Sequence, residues 1–377
     1  MIIKSRRVWL DEAFRPAALE ITDGKISRIL DYESAADVDY GEDKILPGLV
    51  DIHNHGYHGR TSNTATREWL KEWCSYLPTE GVTSFLATTS TYHTETMVNA
   101  FGVIADAIEK PPKGAQILGI YSEGPLISKE FKGAQDERFL VKPDVDTFKA
   151  WQEKARGNII YVAIAPECDD NFALIKYCAK EGIAVAAGHT GAKLDLLKKA
   201  HKAGIKSFTH TYNGMRGLHH REPGVVGAAM RFEDVYCELI GDGVHVHYDA
   251  AWILAKIKGK DKVVLITDSV AIKGFPPGSV YEAEGRKSII DENGVGHLAD
   301  GTIAGSSNRM CDLVRKLIEE AKVDEVTVIN AATINPLKLI NKAEHKGYLK
   351  EGFDADITVL DKDYKVVSTY VKGVKVA

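Results

Sequence analysis

The chain has 377 residues, 44% hydrophobic and 27% charged, a composition that suits a globular protein with a large core. Its formal charge of −5 gives no support to nucleic-acid binding, and no apolar run reaches the length of a membrane span. The five cysteines (Cys74, Cys168, Cys178, Cys237, Cys311) are scattered and never form a CxxC pair. That argues against a disulfide framework or a thiolate zinc site, and fits reduced thiols in a cytoplasmic protein. Residues 1–6 lack the apolar stretch of a signal peptide.

Residues 1–45 read as β structure. Ile2-Ile3-Lys4 and Ala18-Leu19-Glu20-Ile21 are short strand candidates, and Asp23-Gly24-Lys25 is a hairpin turn leading into Ile26-Ser27-Arg28-Ile29. Residues 346–377 read alike, with strands at 357–360, 365–371 and 374–376. Neither end holds enough apolar surface to fold alone, so both are expected to build one small β-sandwich. Between them, apolar β-branched runs occur at 45–50, 82–88, 116–121, 159–164, 183–187, 205–209, 235–240 and 263–267. Helix-like segments separate most of them, as at 68–77, 94–108, 172–180 and 193–203. Eight strands alternating with helices predict an α/β fold: a (β/α)8 TIM-type barrel over 46–345. An open doubly wound sheet is the alternative, but no GxGxxG follows the first strand. The glycine-bearing stretch 278–304, including Asp291-Glu292-Asn293-Gly294, reads as a β-hairpin inserted after the eighth strand.

In such a barrel the chemistry sits where strands end. The first run leads into Asp51-Ile52-His53-Asn54-His55-Gly56, in which His53 and His55, two apart, project to one side. Alone, they could be two polar loop histidines. The third strand ends in Glu123, the fifth in His189, the sixth in His210 and the eighth in Asp268. Each has a plain structural explanation: a helix cap for Asp268, a satisfied core imidazole for His189, a lysine partner for Glu123. Six coincidences at one barrel end are better explained by a metal site. Histidines and a carboxylate suit Zn²⁺, Fe²⁺, Co²⁺ or Mn²⁺. Glu123 could bridge two ions, with His53 and His55 on one and His189 and His210 on the other. Asp268 would be free to move a proton.

At these residues the chain resembles the amidohydrolase superfamily, and within it the N-acetylglucosamine-6-phosphate deacetylase family, over nearly its whole length. The matching segments include Pro47-Gly48-Leu49-Val50-Asp51-Ile52-His53-Asn54-His55-Gly56, Glu123-Gly124-Pro125 (where many relatives carry a carboxylated lysine), Gly188-His189-Thr190 and His210-Thr211-Tyr212-Asn213-Gly214-Met215. Arg221-Glu222-Pro223-Gly224, Asp242-Gly243-Val244-His245, Thr267-Asp268 and the segment from Leu298 to Ser306 complete the match.

The resemblance implies hydrolysis of the N-acetyl group of N-acetylglucosamine 6-phosphate. It implies Glu123, His189 and His210 as metal ligands, with His53 and His55 added in two-metal members. Asp268 would be general base, then general acid. Asn213 and the backbone at Gly214 would contact the phosphate or sugar, as would Arg221 and His245, at least one of these last two across a homodimer interface. His58, His219, His220 and His247 are expected not to be ligands. One departure stands out. Some relatives carry a histidine where Lys132-Gly133-Ala134 is followed here by Gln135, which can donate a hydrogen bond but carries no positive charge. N-acetylgalactosamine 6-phosphate is the rival substrate. A cyclic-amide hydrolase is disfavoured by Glu123, and an inactive scaffold by retention of every ligand and Asp268.

Overall fold

A computed structural model describes residues 1–283, 286–292 and 294–377. Eight parallel strands make the central barrel: Leu49–Asn54, Val82–Thr89, Gln116–Glu123, Ile159–Ile164, Ala184–Ala187, Ser207–Phe208, Tyr236–Ile240 and Val263–Ile266, each hydrogen-bonded to the next in chain order. A parallel strand in a barrel is buried on both faces, and every residue of Val82–Thr89 is buried, its threonines and serine included. The first and eighth strands meet at the mouth through side-chain and backbone hydrogen bonds. Buried Asp51 accepts from the Thr267 hydroxyl at 2.6 Å, and the Asp268 N–H donates to the His53 carbonyl at 3.0 Å.

Val50, Ile52, Leu86, Tyr121, Tyr161, Ile240, Val264 and Ile266 fill the barrel interior with Leu337 and Leu339 from the helix Ile334–Leu339. A larger core lies between strands and outer helices, where Trp69, Trp73, Phe85 and Phe101 are fully buried. Several helices start at side-chain caps. Thr66, Asp144 and Asp324 accept from N–H groups in the first turns of Arg67–Tyr76, Val145–Lys154 and Glu325–Ala332.

Both chain ends enter one eight-stranded sheet, ordered Val374–Lys375, Val366–Val371, Ile357–Leu360, Lys44–Pro47, Ile2–Leu10, Ala13–Thr22, Lys25–Leu30, with Val38–Asp39 also on Ile2–Leu10. It folds back on itself as a sandwich: the Ile26 N–H donates to the Phe353 carbonyl and the Ala355 N–H to the Gly24 carbonyl. The run 45–50 is therefore not one strand. Lys44–Pro47 pairs with Ile357–Leu360 in the terminal sheet, and a new strand starts at Leu49 in the barrel. Gly48 carries the chain between the two layers; a Cβ there would lie 2.1 Å from Thr83 Oγ1, so no other residue fits.

The insertion after the eighth strand differs from the single hairpin expected. It is an antiparallel meander of Val280–Ala283, Arg286–Ile290, Val295–Leu298 and Ile303–Ser306. The expected turn at Asp291-Glu292-Asn293-Gly294 includes Asn293, which lies outside the described residues. The last strand of the meander is sewn to the barrel, the Ser306 N–H donating to the Asp268 carbonyl at 3.0 Å. This attachment lays residues 302–305 along the barrel mouth.

Candidate metal centre and active site

His53 reaches the barrel interior through an irregularity. Val50 and Ile52 already point inward, so simple alternation would turn His53 and His55 out. The pairing with the second strand slips by one residue between Asp51 and Asn54, and this bulge re-aims both rings inward. Their Nε2 atoms lie 3.1 Å apart. Three further residues are turned by strained backbone: His189, His210 and Asp268 have φ of 46°, 27° and 47°. Non-glycine residues pay about 1–3 kcal/mol for such conformations, and they gather where function requires an exact side-chain direction.

The rings converge on one carboxylate. Glu123 Oε1 lies 3.0 Å from His189 Nε2, 2.9 Å from His210 Nε2 and 3.6 Å from His53 Nε2. Its Oε2 lies 3.2 Å from His55 Nε2. The opposite ring nitrogens assign the tautomers. His189 Nδ1–H donates to the Phe131 carbonyl at 2.8 Å and His210 Nδ1–H to the Asn213 carbonyl at 3.0 Å. His53 Nδ1–H donates to Glu238 Oε2 at 2.9 Å. Neutral imidazoles so held turn Nε2 lone pairs at each other and at carboxylate oxygens, an arrangement that only a cation or a proton satisfies.

The spacing fits a cation. Nitrogens bound at about 2.0–2.1 Å with bond angles of about 90–109° would sit roughly 2.9–3.4 Å apart; His189 and His210 Nε2 are 3.1 Å apart, as are those of the other pair. Charge balance agrees. Among the described residues, every ion pair of Glu123, Glu238 and Asp268 is to a histidine, leaving three carboxylates in need of positive charge. His53–His55–Glu123 and Glu123–His189–His210 form two ligand groups sharing Glu123. The donor set suits divalent metal.

Without metal, the carboxylates hold protons on His53, His55 and His189. Burial lowers the His55 pKa, but Asp268 and Glu123 outweigh it and raise it to about 9. Burial opposes, and Glu123 raises, the His189 pKa in the same sense. A raised imidazole keeps its proton below its pKa, whereas a metal needs the lone pair. Loading the chelator-stripped protein at pH 7 should therefore release protons, with apparent affinity still rising towards pH 9. Calorimetry in buffers of different ionisation enthalpy would reveal this; a buffer-independent heat would contradict it.

Asp268 Oδ1 lies 3.4 Å from His53 Nε2 and 3.3 Å from His55 Nε2. Burial would push its carboxyl up, but His53 and His55 outweigh burial and hold it below its usual value, so it stays ionised. The cavity above it, about 450 Å³, falls in the usual range for small-molecule sites. It is lined by His55, Glu123, Gln135, His189, His210, Asn213, Gly214, His245 and Asp268, and by 302–305 of the meander. A larger groove of about 620 Å³, lined by Lys149, Arg156, Tyr177 and the starts of the fourth and fifth strands, holds none of the expected site residues.

Gln135 is locked in place. Its Nε2 donates to Glu123 Oε2 at 3.0 Å, while its Oε1 accepts from the Thr91 N–H at 2.8 Å and from the Thr91 hydroxyl. Gly214 has φ 58°, and a Cβ there would lie 2.9 Å from His189 Nδ1. His245 Nδ1–H donates to Asp242 Oδ2 at 2.6 Å. His245 Nε2 and Asn213 Nδ2, buried atoms of two cavity-lining residues, have no hydrogen-bond partner among the described residues. Arg221 does not join them. It is exposed on the loop before Gly224–Arg231, its Nη1 2.8 Å from His220 Nε2, and does not line the cavity. His58, His219, His220 and His247 are exposed, and His247 caps the helix Tyr248–Lys258.

The sequence does not place Glu238 beneath His53 or Thr91 behind Gln135, and it shows Asp242 only as part of a matching segment, not as the partner of His245. A charged residue inside the apolar run Tyr236-Cys237-Glu238-Leu239-Ile240 was the available signal for the first.

Comparison with known proteins agrees with this geometry. The sequence profile described as "Amidohydrolase family" matches residues 45–376. An N-acetylglucosamine-6-phosphate deacetylase of Bacillus subtilis (strain 168) is 38% identical over 96% of this chain and 93% of its own. An N-acetylgalactosamine-6-phosphate deacetylase of Escherichia coli O157:H7 is 31% identical over 99% of this chain and 98% of its own. An aspartate-to-alanine variant of N-acetyl-D-glucosamine-6-phosphate deacetylase from Mycobacterium smegmatis, solved with N-acetyl-D-glucosamine-6-phosphate, superposes with a TM-score of 0.94 at 28% identity, covering 100% of this chain and 99% of that one.

Proposed function

The chain belongs to the amidohydrolase family, and we propose that it hydrolyses the N-acetyl group of N-acetylglucosamine 6-phosphate to glucosamine 6-phosphate and acetate. One observation carries this reading. A proton-accepting carboxylate, Asp268, stands 3.3 Å from a metal-ligand histidine on the wall of a cavity sized for one small molecule. A divalent cation bound by Glu123, His189 and His210, and a second by His53, His55 and Glu123, would supply Lewis acidity and lower the pKa of water at the site. Zinc or iron is the assignment, with cobalt or manganese as substitutes.

The chain's own residues do the rest. Asp268 accepts a proton from the attacking water and returns it to the departing nitrogen, because an amide anion leaves too poorly unassisted. Asn213 and His245 line the cavity, each with a buried nitrogen that lacks a hydrogen bond among the described residues, and suit the hydroxyl and phosphate oxygens of the sugar. The backbone at Gly214 lies beside them. Gln135 adds a neutral donor near the acetamide. Residues 302–305 limit solvent access from the meander side.

Arg221 acts from a second copy of the chain. It lies outside its own cavity, and exposed Leu218, Trp252, Ile253 and Ile257 on the same loop and the helix Tyr248–Lys258 supply apolar surface for a homodimer. A planar guanidinium suits a phosphate dianion. The cytoplasm is the assigned compartment, consistent with five free thiols, four of them buried.

Similarity to relatives named for each epimer makes substrate preference the test of this assignment. Acetate release from the gluco substrate should have the higher kcat/KM. A higher value with N-acetylgalactosamine 6-phosphate would reassign the substrate, and acetate from neither would overturn the proposal.

A further inference from the structure

Glu238 is fully buried in the seventh barrel strand, beneath the metal site rather than in the cavity. A buried carboxylate needs partners, and it has three. His53 Nδ1–H donates to Oε2 at 2.9 Å and the His210 backbone N–H donates to the same oxygen at 3.0 Å. The Tyr161 hydroxyl donates to Oε1 at 2.7 Å. One oxygen thus joins the side chain of one ligand to the backbone of another, and these two ligands belong to different ligand groups sharing Glu123. Tyr121 packs edge-on against the His53 ring at 4.9 Å and stacks on Tyr161 at 4.1 Å, so the ring can neither flip nor tilt without disturbing the network.

His55 is held differently. Its Nδ1 is buried and has no hydrogen-bond partner among the described residues. Of the pair, only His53 has an anchor that sets its tautomer and aims Nε2 at the ion position.

We propose that Glu238 is the positioning residue of the second metal site: it fixes His53 with its lone pair towards the ion and so sets the affinity of that site. The proposal rests on the two-ion reading above. Carboxylates behind metal-binding histidines typically change metal affinity by about 10–100-fold when removed.

The test is metal binding, read by calorimetry and by metal counting after dialysis, in wild type, Glu238→Gln and Glu238→Ala. Glutamine keeps an oxygen for His53 and His210, and Tyr161 can turn its hydroxyl to Ser207 Oγ, 2.7 Å away, so this variant should fold. The second ion should bind roughly 10-fold more weakly in Glu238→Gln and roughly 100-fold more weakly in Glu238→Ala, with first-ion affinity unchanged in Glu238→Gln, which keeps the acceptor for the His210 N–H. A merely structural role would lower both sites together, and that result would overturn the proposal. So would wild-type binding of both ions in Glu238→Gln. A wild type that takes up only one ion would instead refute the two-ion reading.

Discussion

Asp268→Asn should lower deacetylation by two to four orders of magnitude while leaving metal content nearly unchanged. The size follows from the usual contribution of a positioned general acid–base. Its selectivity follows from the geometry. Asp268 approaches His53 and His55 at 3.4 and 3.3 Å, but neither ligand group formed around Glu123 needs it. Asparagine tolerates the positive φ of 47° at this position, as aspartate does, so the backbone should hold. What is lost is a group that can take and return a proton. The measurement is acetate release by the metal-loaded variant beside its metal count. Activity near that of wild type would remove Asp268 from the mechanism, and loss of metal would make it a ligand.

Glu123→Ala should have the larger structural effect. Both ligand groups pass through this carboxylate, Oε1 facing His189 and His210 and Oε2 facing His55. Burial pushes its carboxyl up, yet His53 and His189 hold it well below the usual value, so it stays charged among four imidazoles. Removing it leaves those rings without their common counter-charge and Gln135 without its acceptor. Both ions should be lost and activity should fall below detection, as read by metal analysis of the purified variant. Retention of two ions would show that Glu123 does not bridge them.

Much of the barrel was legible because its physics is local. Strands buried on both faces read as largely apolar runs, and polar residues appear where a run reaches the mouth, as at Glu123, His189, His210 and Asp268. What escaped was non-local. The run 45–50 is uniformly apolar, yet Lys44–Pro47 pairs with a strand more than 300 residues away. The bulge between Asp51 and Asn54 decides which face His53 occupies, and it exists only in the pairing with the second strand. The positive φ of His189, His210 and Asp268 leaves no mark in composition. The meander shows in the sequence as one hairpin because Arg286–Ile290 and Val295–Leu298 mix polar and apolar residues and carry a weak strand signal. Arg221 rested on resemblance alone, and its own chain keeps it outside the cavity.

Metal depletion and restoration in one assay tests the account most directly. The protein is stripped with a chelator, divided, and reloaded with zinc or iron under anaerobic conditions. Acetate and glucosamine 6-phosphate are then counted from N-acetylglucosamine 6-phosphate. The prediction is no turnover in the stripped sample and equimolar release of both products on reloading. Undiminished turnover by the stripped protein, or none by protein shown to hold its full complement of ions, would contradict it.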